Sequence, residues 1–472
     1  MTRPPVVVKF GGASLADPAK VVARLLALRA EGRPVVAVVS ARAGVTNRLV
    51  RTTRMLRDSA DYARVLADLR RRHSGGGPAV DRRLAGLARA FAWSERHGKL
   101  SSVEVDGLLA FGERLAVDWL VPRLRAAGLR AVPVDTARLG LWTDGRHGEG
   151  TILLRRSRRP VRAGLLPLLA RGDMPVLTGF FGRGSHGEPV TLGRDGSDYV
   201  ASAVGALLGA DYVELVKPEA SILSADPREV RAARPVRSLT YEEAEELAEF
   251  GARVLHPMTV EPARWAGIDL RIRSLVDPDQ STVVGHRPGR RGVRAVTASP
   301  PATLFRLRFP GARGRTGVLS EISRRLAAAG VPVLHGFTSA AIVSVVVEAK
   351  QTAPARRALA ALVRERGARL DPAVRVALLA GVGSGAVVDL PRFPIEVLRG
   401  AEGISATRSS VTLAVPAERR LTDLRRLHAA LLESPGPAST SARERRAFGP
   451  LPARAGVPPG RRPRQGRSKR TA

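Results

Sequence analysis

The chain has no cysteine, few aromatics and only six lysines among its 77 basic residues. Without cysteine there is no disulfide, no thiolate nucleophile and no cysteine-ligated zinc or iron–sulfur centre, which suits a cytoplasmic protein. Aromatics make up 4% of the residues, so platforms for stacking nucleobases are scarce. No apolar run approaches the ~18 residues of a membrane span, and Met1-Thr2-Arg3-Pro4-Pro5 lacks the apolar core of a signal peptide. Neither export nor a membrane partner is expected. Acidic residues are also short, 43 against 77 basic, for a formal charge of +34. Such a charge would suit a polyanion. Here it is arginine interspersed with alanine along the whole chain, which reads as overall composition, and no nucleic-acid partner is expected.

What is present is a globular composition, 44% hydrophobic over 472 residues, enough for about two to four domains. From Pro5 to about Val284 short apolar runs alternate with longer amphipathic ones. Strands are expected at Val6–Phe10, Val35–Ser40, Val132–Val134, Pro175–Gly179, Tyr212–Val216 and Leu270–Ile272, with helices such as Val103–Ala127 and Tyr241–Phe250. The alternation predicts a three-layer αβα domain on a largely parallel sheet. A breaker-rich segment around His286–Gly292 reads as a linker. Beyond it Phe305, Leu307 and Phe309 alternate with arginines as in a half-buried strand, Val318–Ala329 reads as a helix, and Val331–Leu334 and Ile342–Val347 as strands. A second strand-rich unit follows, with Ser410–Val415 as a strand and Leu421–Leu432 as a closing helix. The arginine- and proline-rich end after Glu433 is expected to be disordered.

Six segments carry chemistry. The first apolar run breaks into Lys9-Phe10-Gly11-Gly12-Ala13-Ser14. Glycines let backbone N–H groups approach anionic oxygens, a lysine adds charge, and a following helix N-terminus adds positive potential. Asp17 and Pro18 supply that helix with a cap and a first residue, and Val21, Val22, Leu25 and Leu26 with an apolar stripe. Alone, this is equally an ordinary strand–turn–helix, and it matches neither the P-loop nor the dinucleotide fingerprint. Ser40-Ala41-Arg42-Ala43-Gly44-Val45-Thr46-Asn47 follows a second strand and offers the hydroxyls of Ser40 and Thr46. In Phe111-Gly112-Glu113-Arg114 a glycine costs about 1 kcal/mol against alanine within a helix, so close approach to that face is expected. Glu113 there reads either as a partner for an ammonium or as half of a surface pair with Arg114. Thr191-Leu192-Gly193-Arg194-Asp195-Gly196-Ser197-Asp198-Tyr199 gathers the groups a phosphoryl-transfer site requires. Ser224-Ala225-Asp226-Pro227-Arg228 and Phe250-Gly251-Ala252-Arg253-Val254-Leu255-His256-Pro257 add two arginines, and His256 reads as structural.

Taken in order, five of these segments, all but Ser224–Arg228, resemble the aspartate kinases of the amino acid kinase family, strongly over residues 5–284 and more weakly to about 433, where the pattern looks like paired ACT domains. The resemblance implies an amino acid kinase fold over 1–284, a linker at 285–300, ACT-like α+β domains at 301–368 and 369–433, and a basic tail at 434–472. It implies transfer of the γ-phosphoryl group of ATP, with Mg²⁺, to the side-chain carboxylate of L-aspartate. Lys9 and Asp198 would be catalytic, Asp198 holding Lys9 and not acting as a base, because the attacking carboxylate is already ionised. Ser40, Thr46, Glu113, Arg194 and Ser197 would bind the amino acid. Lys9, Gly11, Gly12, Ser14, Lys217, Leu223, Arg228 and Arg253 would bind the nucleotide. No protein-ligated metal is implied, and a homodimer through the ACT domains is. A sensor without catalysis and a kinase for a related acid are the alternatives.

Two departures stand out. In the nucleotide loop Lys217–Leu223, Pro218 and Ser221 replace the family's aspartate and glycine, which implies weakened or reoriented adenine binding, since proline has no N–H and a fixed φ. In the first ACT-like unit Leu334 and Ala340 stand where lysine- or threonine-binding relatives present polar groups, which implies lost or altered feedback.

Overall fold

The computed structural model describes residues 3–433 except 55–58, 219–220, 251–254, 278–279, 288, 290, 310–316 and 340. The tail 434–472, Arg253 and Ala340 therefore lie outside the described residues.

Strand β1 (Val6–Phe10) is buried at every position, and a valine-rich run of that kind belongs inside a sheet covered on both faces. The other strands of this sheet are β2 (Val35–Val39), β3 (Ala131–Val134) and β4 (Met174–Thr178), then, after a short antiparallel hairpin of β5 (Phe181–Arg183) and β6 (Pro189–Thr191), β7 (Tyr212–Val216), β8 (Ser238–Thr240), β9 (Asp269–Arg273) and β10 (Ser281–Gly285). The order is β3-β4-β2-β1-β7-β9-β10-β8. All neighbours are parallel except β9 and β10. Val6, Val8 and Phe10 face one apolar cluster, with helices Pro18–Ala30 and Phe111–Ala126, while Val7 faces another, with Leu154–Ala170 and Gly196–Leu208. The result is the expected αβα sandwich, with β8, β10 and the hairpin in addition to the expected strands.

Local chemistry explains the entry and exit of these elements. Asp17 caps the first long helix by accepting from Lys20 N at 3.2 Å, with Pro18 at its first position. Its buried stripe is Val21, Leu25 and Leu28; Leu26, expected on that stripe, is 40% exposed. The single helix expected over 103–127 is two, Ser102–Leu109 and Phe111–Ala126, meeting at Ala110.

The remaining strands are β11 (Ala295–Ala298), β12 (Ala302–Arg308), β13 (Val333–Thr338), β14 (Ile342–Glu348), β15 (Arg369–Leu370), β16 (Val374–Val382), β17 (Gly403–Ala406) and β18 (Ser410–Pro416). They form one antiparallel sheet, ordered β13-β14-β12-β16-β18-β17, with β11 also on β16 and β15 on β12. Residues 285–300, expected as a linker, thus contain β11, which pairs with β16 from Ala295↔Val382 to Ala298↔Leu379. Four apolar-tolerant residues are too short a run to announce a strand without their partner. Side-chain alternation splits the sheet's contacts. Phe305, Leu307, Val345 and Val347 pack under helices Val318–Ala328 and Thr352–Arg366, and Leu379, Leu413 and Val415 under Arg420–His428. Leu304, Val346, Leu378 and Ala380 join the same cluster as Tyr241, Leu247 and Phe250 of the first part. The closing helix, expected to reach Leu432, ends at His428 and continues as a π-turn over Ala429–Glu433.

Candidate active site

The carboxyl ends of β1, β2, β4 and β7 open on one side of the sheet, where the strand order reverses around β1, the usual position of a ligand crevice in such sheets. Lys9 lies one residue before the end of β1, between Val38 and Leu215 in register, and is 8% exposed. Its Nζ lies 2.6 Å from Asp198 Oδ1, and Lys217 Nζ lies 2.9 Å from Asp198 Oδ2. Asp198, in the first turn of helix Gly196–Leu208, is 1% exposed. Burial alone would raise its pKa, but the two ammonium groups win and hold it down at about 2.

Glu113 is buried on the opposite wall, in the first turn of Phe111–Ala126. Its Oε1 accepts from Ala41 N at 2.9 Å, and its Oε2 has no partner among the described residues. Burial pushes its pKa up to about 8, resisted by the Ala41 N–H and the charges of Lys9 and Arg114. The surface pair with Arg114 does not form: Arg114 Nε donates to Asp135 Oδ2 at 2.7 Å, with its guanidinium 5.1 Å from the Phe181 ring centre. The close approach expected at Gly112 is by protein, since a Cβ there would lie 2.9 Å from Ala41 Cβ. Gly12 is as confined, its Cβ position being 2.6 Å from Ala41 O and 2.9 Å from Ala43 N. The loops after β1 and β2 are thereby interlocked, with Ala43 N donating to Gly12 O at 3.3 Å. Gly11 is different: a Cβ there would find only Lys9 Nζ at 3.5 Å and Val216 O at 3.8 Å, leaving its face open to a ligand.

Ser40 and Thr46 are half-buried at the end of β2 and the start of helix Val45–Arg54, and Ser14 opens a 3₁₀ turn after the glycines. Ser197 is buried against Gly179, where a Cβ would come 2.5 Å from Ser197 Oγ. Arg194 is exposed and makes no ion pair among the described residues. Two non-glycine residues there have left-handed backbones, Phe180 (φ 68°) and Asp195 (φ 52°). Each costs about 1 kcal/mol or more, strain that collects at functional sites. Leu223 bridges to Pro235, and Ser221 is buried with no partner for its hydroxyl among the described residues. Arg228 is turned away from the group: its Nε and Nη2 fork onto Asp226 at 3.0 and 2.6 Å. His256 is structural, its Nδ1 accepting from Met258 N as a helix cap.

Sequence reasoning missed Asp106. Buried in helix Ser102–Leu109, it accepts from Thr191 N (2.9 Å), Thr191 Oγ1 (2.6 Å) and Gly148 N (3.2 Å), and its Oδ2 lies 2.8 Å from His147 Nδ1. It ties the helical wall carrying Glu113 to the segment entering Arg194–Asp198. The available signal was an acid among Val105, Leu108 and Leu109, on a face that should be apolar.

The amino acid kinase family model matches residues 4–274, which hold every strand of this sheet but β10. The chain belongs to the amino acid kinase family. Among curated relatives of this amino acid kinase, an aspartokinase of Thermus thermophilus is 29% identical over 340 residues, 69% of this chain and 83% of that protein. Aspartokinase 1 of Bacillus subtilis is 31% identical over 242 residues, 50% of this chain and 58% of that protein's length. Among solved structures, E. coli aspartokinase III in complex with aspartate and ADP (R-state) superposes with a TM-score of 0.74 at 26% identity, covering 91% of this chain and all of that one.

Proposed function

We propose that this amino acid kinase is an aspartate kinase, transferring the γ-phosphoryl group of MgATP to the side-chain carboxylate of L-aspartate to give 4-phospho-L-aspartate. The observation that carries the reading is the buried Asp198 between Lys9 and Lys217, facing a buried Glu113. Likeness to an aspartokinase structure with aspartate and ADP supports the choice of substrates.

In the proposed reaction a carboxylate oxygen of aspartate forms a bond to the γ-phosphorus as the bond from that phosphorus to the β,γ-bridging oxygen breaks, and ADP leaves with the electron pair. No base is needed, because the nucleophile is already an anion at neutral pH. Catalysis is then positioning plus neutralisation of charge on the transferring group. Lys9 and Lys217 supply the positive charge, and Asp198 fixes their Nζ atoms. Gly11, Gly12 and Ser14 present donors to phosphate. Glu113 Oε2 receives the substrate ammonium, Arg194 the α-carboxylate, and Ser40, Thr46 and Ser197 close the pocket. Lys217 and Leu223 border the nucleotide; Arg228 joins them only by leaving Asp226, and Arg253 is assigned by resemblance alone.

The described residues contain no group of three or more carboxylate or imidazole ligands, and Asp198 already serves two ammonium groups. Mg²⁺ is proposed to enter with the nucleotide, held by its phosphates. The C-terminal α+β units are proposed to pair in a homodimer, and no helix among the described residues is long and apolar enough to cross a membrane. The test is incubation of the full chain with ATP, Mg²⁺, hydroxylamine and L-aspartate, beside Lys9→Ala. Aspartyl hydroxamate from the wild type alone supports the reading. Product from another acidic amino acid only, or from none, replaces it with the related-acid kinase or the sensor.

A further inference from the structure

The segment Ser224–Glu229 directly follows the nucleotide loop, and the C-terminal helix grips it. Ser224 is 4% exposed and His428 fully buried. Ser224 Oγ accepts from Arg234 N at 2.8 Å and lies 2.9 Å from His428 Nε2; His428 Nδ1 lies 2.7 Å from Glu433 Oε1. A carboxylate only accepts, so Nδ1 carries a proton; on a neutral ring Nε2 then presents its lone pair to the Ser224 hydroxyl, whose oxygen also accepts from Arg234 N. The same helix reaches the segment twice more. Arg420 Nη2 lies 2.8 and 3.1 Å from the Glu229 carboxylate oxygens, and Arg425 Nε donates to Glu229 O at 2.9 Å. Ala225 and Val230 are buried in one cluster with Leu424, Leu427 and Leu431. Ser224 O accepts from Val296 N of β11 at 2.8 Å.

This attachment joins both the C-terminal helix and β11 to the segment after the nucleotide loop. What it fixes is the exit of the loop that begins with Lys217, the partner of Asp198. Between them Ile222 N is anchored to Thr282 Oγ1 at 2.8 Å. We infer that His428, oriented by Glu433, is a positioning residue for the nucleotide side of the active site, acting through Ser224. The inference rests on the proposed nucleotide chemistry and adds a residue 204 positions from the serine through which it acts.

The experiment is calorimetric titration of ADP into the full chain, with steady-state KM values for ATP and L-aspartate, for wild type, His428→Ala, His428→Gln, His428→Asn and Ser224→Ala. Loss of one buried hydrogen bond should weaken ADP binding about fivefold and raise the KM for ATP by a similar factor in His428→Ala and Ser224→Ala. The KM for L-aspartate should stay within about twofold, because its ligands lie on other elements. Glutamine can accept from Ser224 and should restore ADP affinity, whereas asparagine can reach only Glu433 and should behave like alanine. A purely structural histidine would give the opposite or no distinction between the two amides. Unchanged ADP affinity in His428→Ala, or in Ser224→Ala if the former does not fold, overturns the inference alone. A wild-type chain that binds no nucleotide overturns the functional reading and the inference with it.

Discussion

Lys217 places its Nζ 2.9 Å from Asp198 Oδ2, although the loop it opens departs from the family pattern at the very next residue. Pro218 therefore leaves the charge arrangement of the site intact and bears on the residues after it.

Asp198→Asn keeps the shape and removes the charge that two ammonium groups share. Turnover should fall by about 10² or more with a smaller change in KM, and stability by about 3 kcal/mol, because the buried Lys9 loses its counter-charge. The same link sets acid sensitivity. The folded pKa of about 2 lies below the ordinary aspartate value of 3.8, so the carboxylate contributes stability that is present above about pH 4 and lost as pH falls towards about 2. Urea unfolding between about pH 6 and 2 should show a smaller decline in the variant.

Glu113 runs the other way. Its folded pKa of about 8 lies above the ordinary 4.5, so the protonated form is favoured in the free protein and stability declines as pH rises from about 4.5 to 8. Ionisation is needed to receive an ammonium, so kcat/KM for L-aspartate should climb about tenfold per pH unit below about 8 and then level. Glu113→Gln should abolish that limb; an unaltered profile would remove Glu113 from substrate binding.

The two glycines of the first loop should separate stability from activity. Gly12→Ala drives a methyl group into the Ala41 and Ala43 backbone and should cost about 2 kcal/mol. Gly11→Ala meets only ordinary contacts and should unfold at the wild-type temperature while losing phosphate binding, seen as a raised Kd for ADP.

Asp106→Ala strands the donors of Thr191 and Gly148. A loss of about 2 kcal/mol is expected, with a raised KM for L-aspartate and little change in that for ATP. Equal effects on both substrates would mean that Asp106 supports the fold and not the spacing of Glu113 and Arg194.

Leu334 on β13 is half-buried and packs against the apolar cluster shared with Phe250. It offers no counter-charge to an amino-acid ammonium, so lysine or threonine at sub-millimolar concentration should leave the rate unchanged. An inhibition curve with either in that range would overturn the expectation of lost or altered feedback.

Local signals and long-range pairings were unequally legible. Val6–Phe10 and Tyr212–Val216 were readable to the residue, because a run of buried apolar residues flanked by breakers has one period and one meaning. The contact of Lys9 with Asp198 follows what the resemblance implies. The pairing of Lys217 with the same carboxylate was not readable, because nothing in the loop's composition says where its first side chain turns. The break at Ala110, which lets Gly112 meet Ala41, is invisible to a helical period that continues across it. β11 escaped for the same reason as the hold of His428 on Ser224: both exist only through partners 80 or more residues away.

The position of β11 also governs the order in which the protein can be completed. This strand leaves the ribosome well before its partner β16, which follows 80 or more residues later, and before the helix Arg420–His428 that covers both. A chain cut short after Leu370 would carry a nucleotide loop whose exit lacks the contacts from His428, Arg420 and Arg425, and a β11 without its partner β16. The hold of His428 on Ser224 is therefore made only once that helix has been synthesised, after every strand of the first sheet.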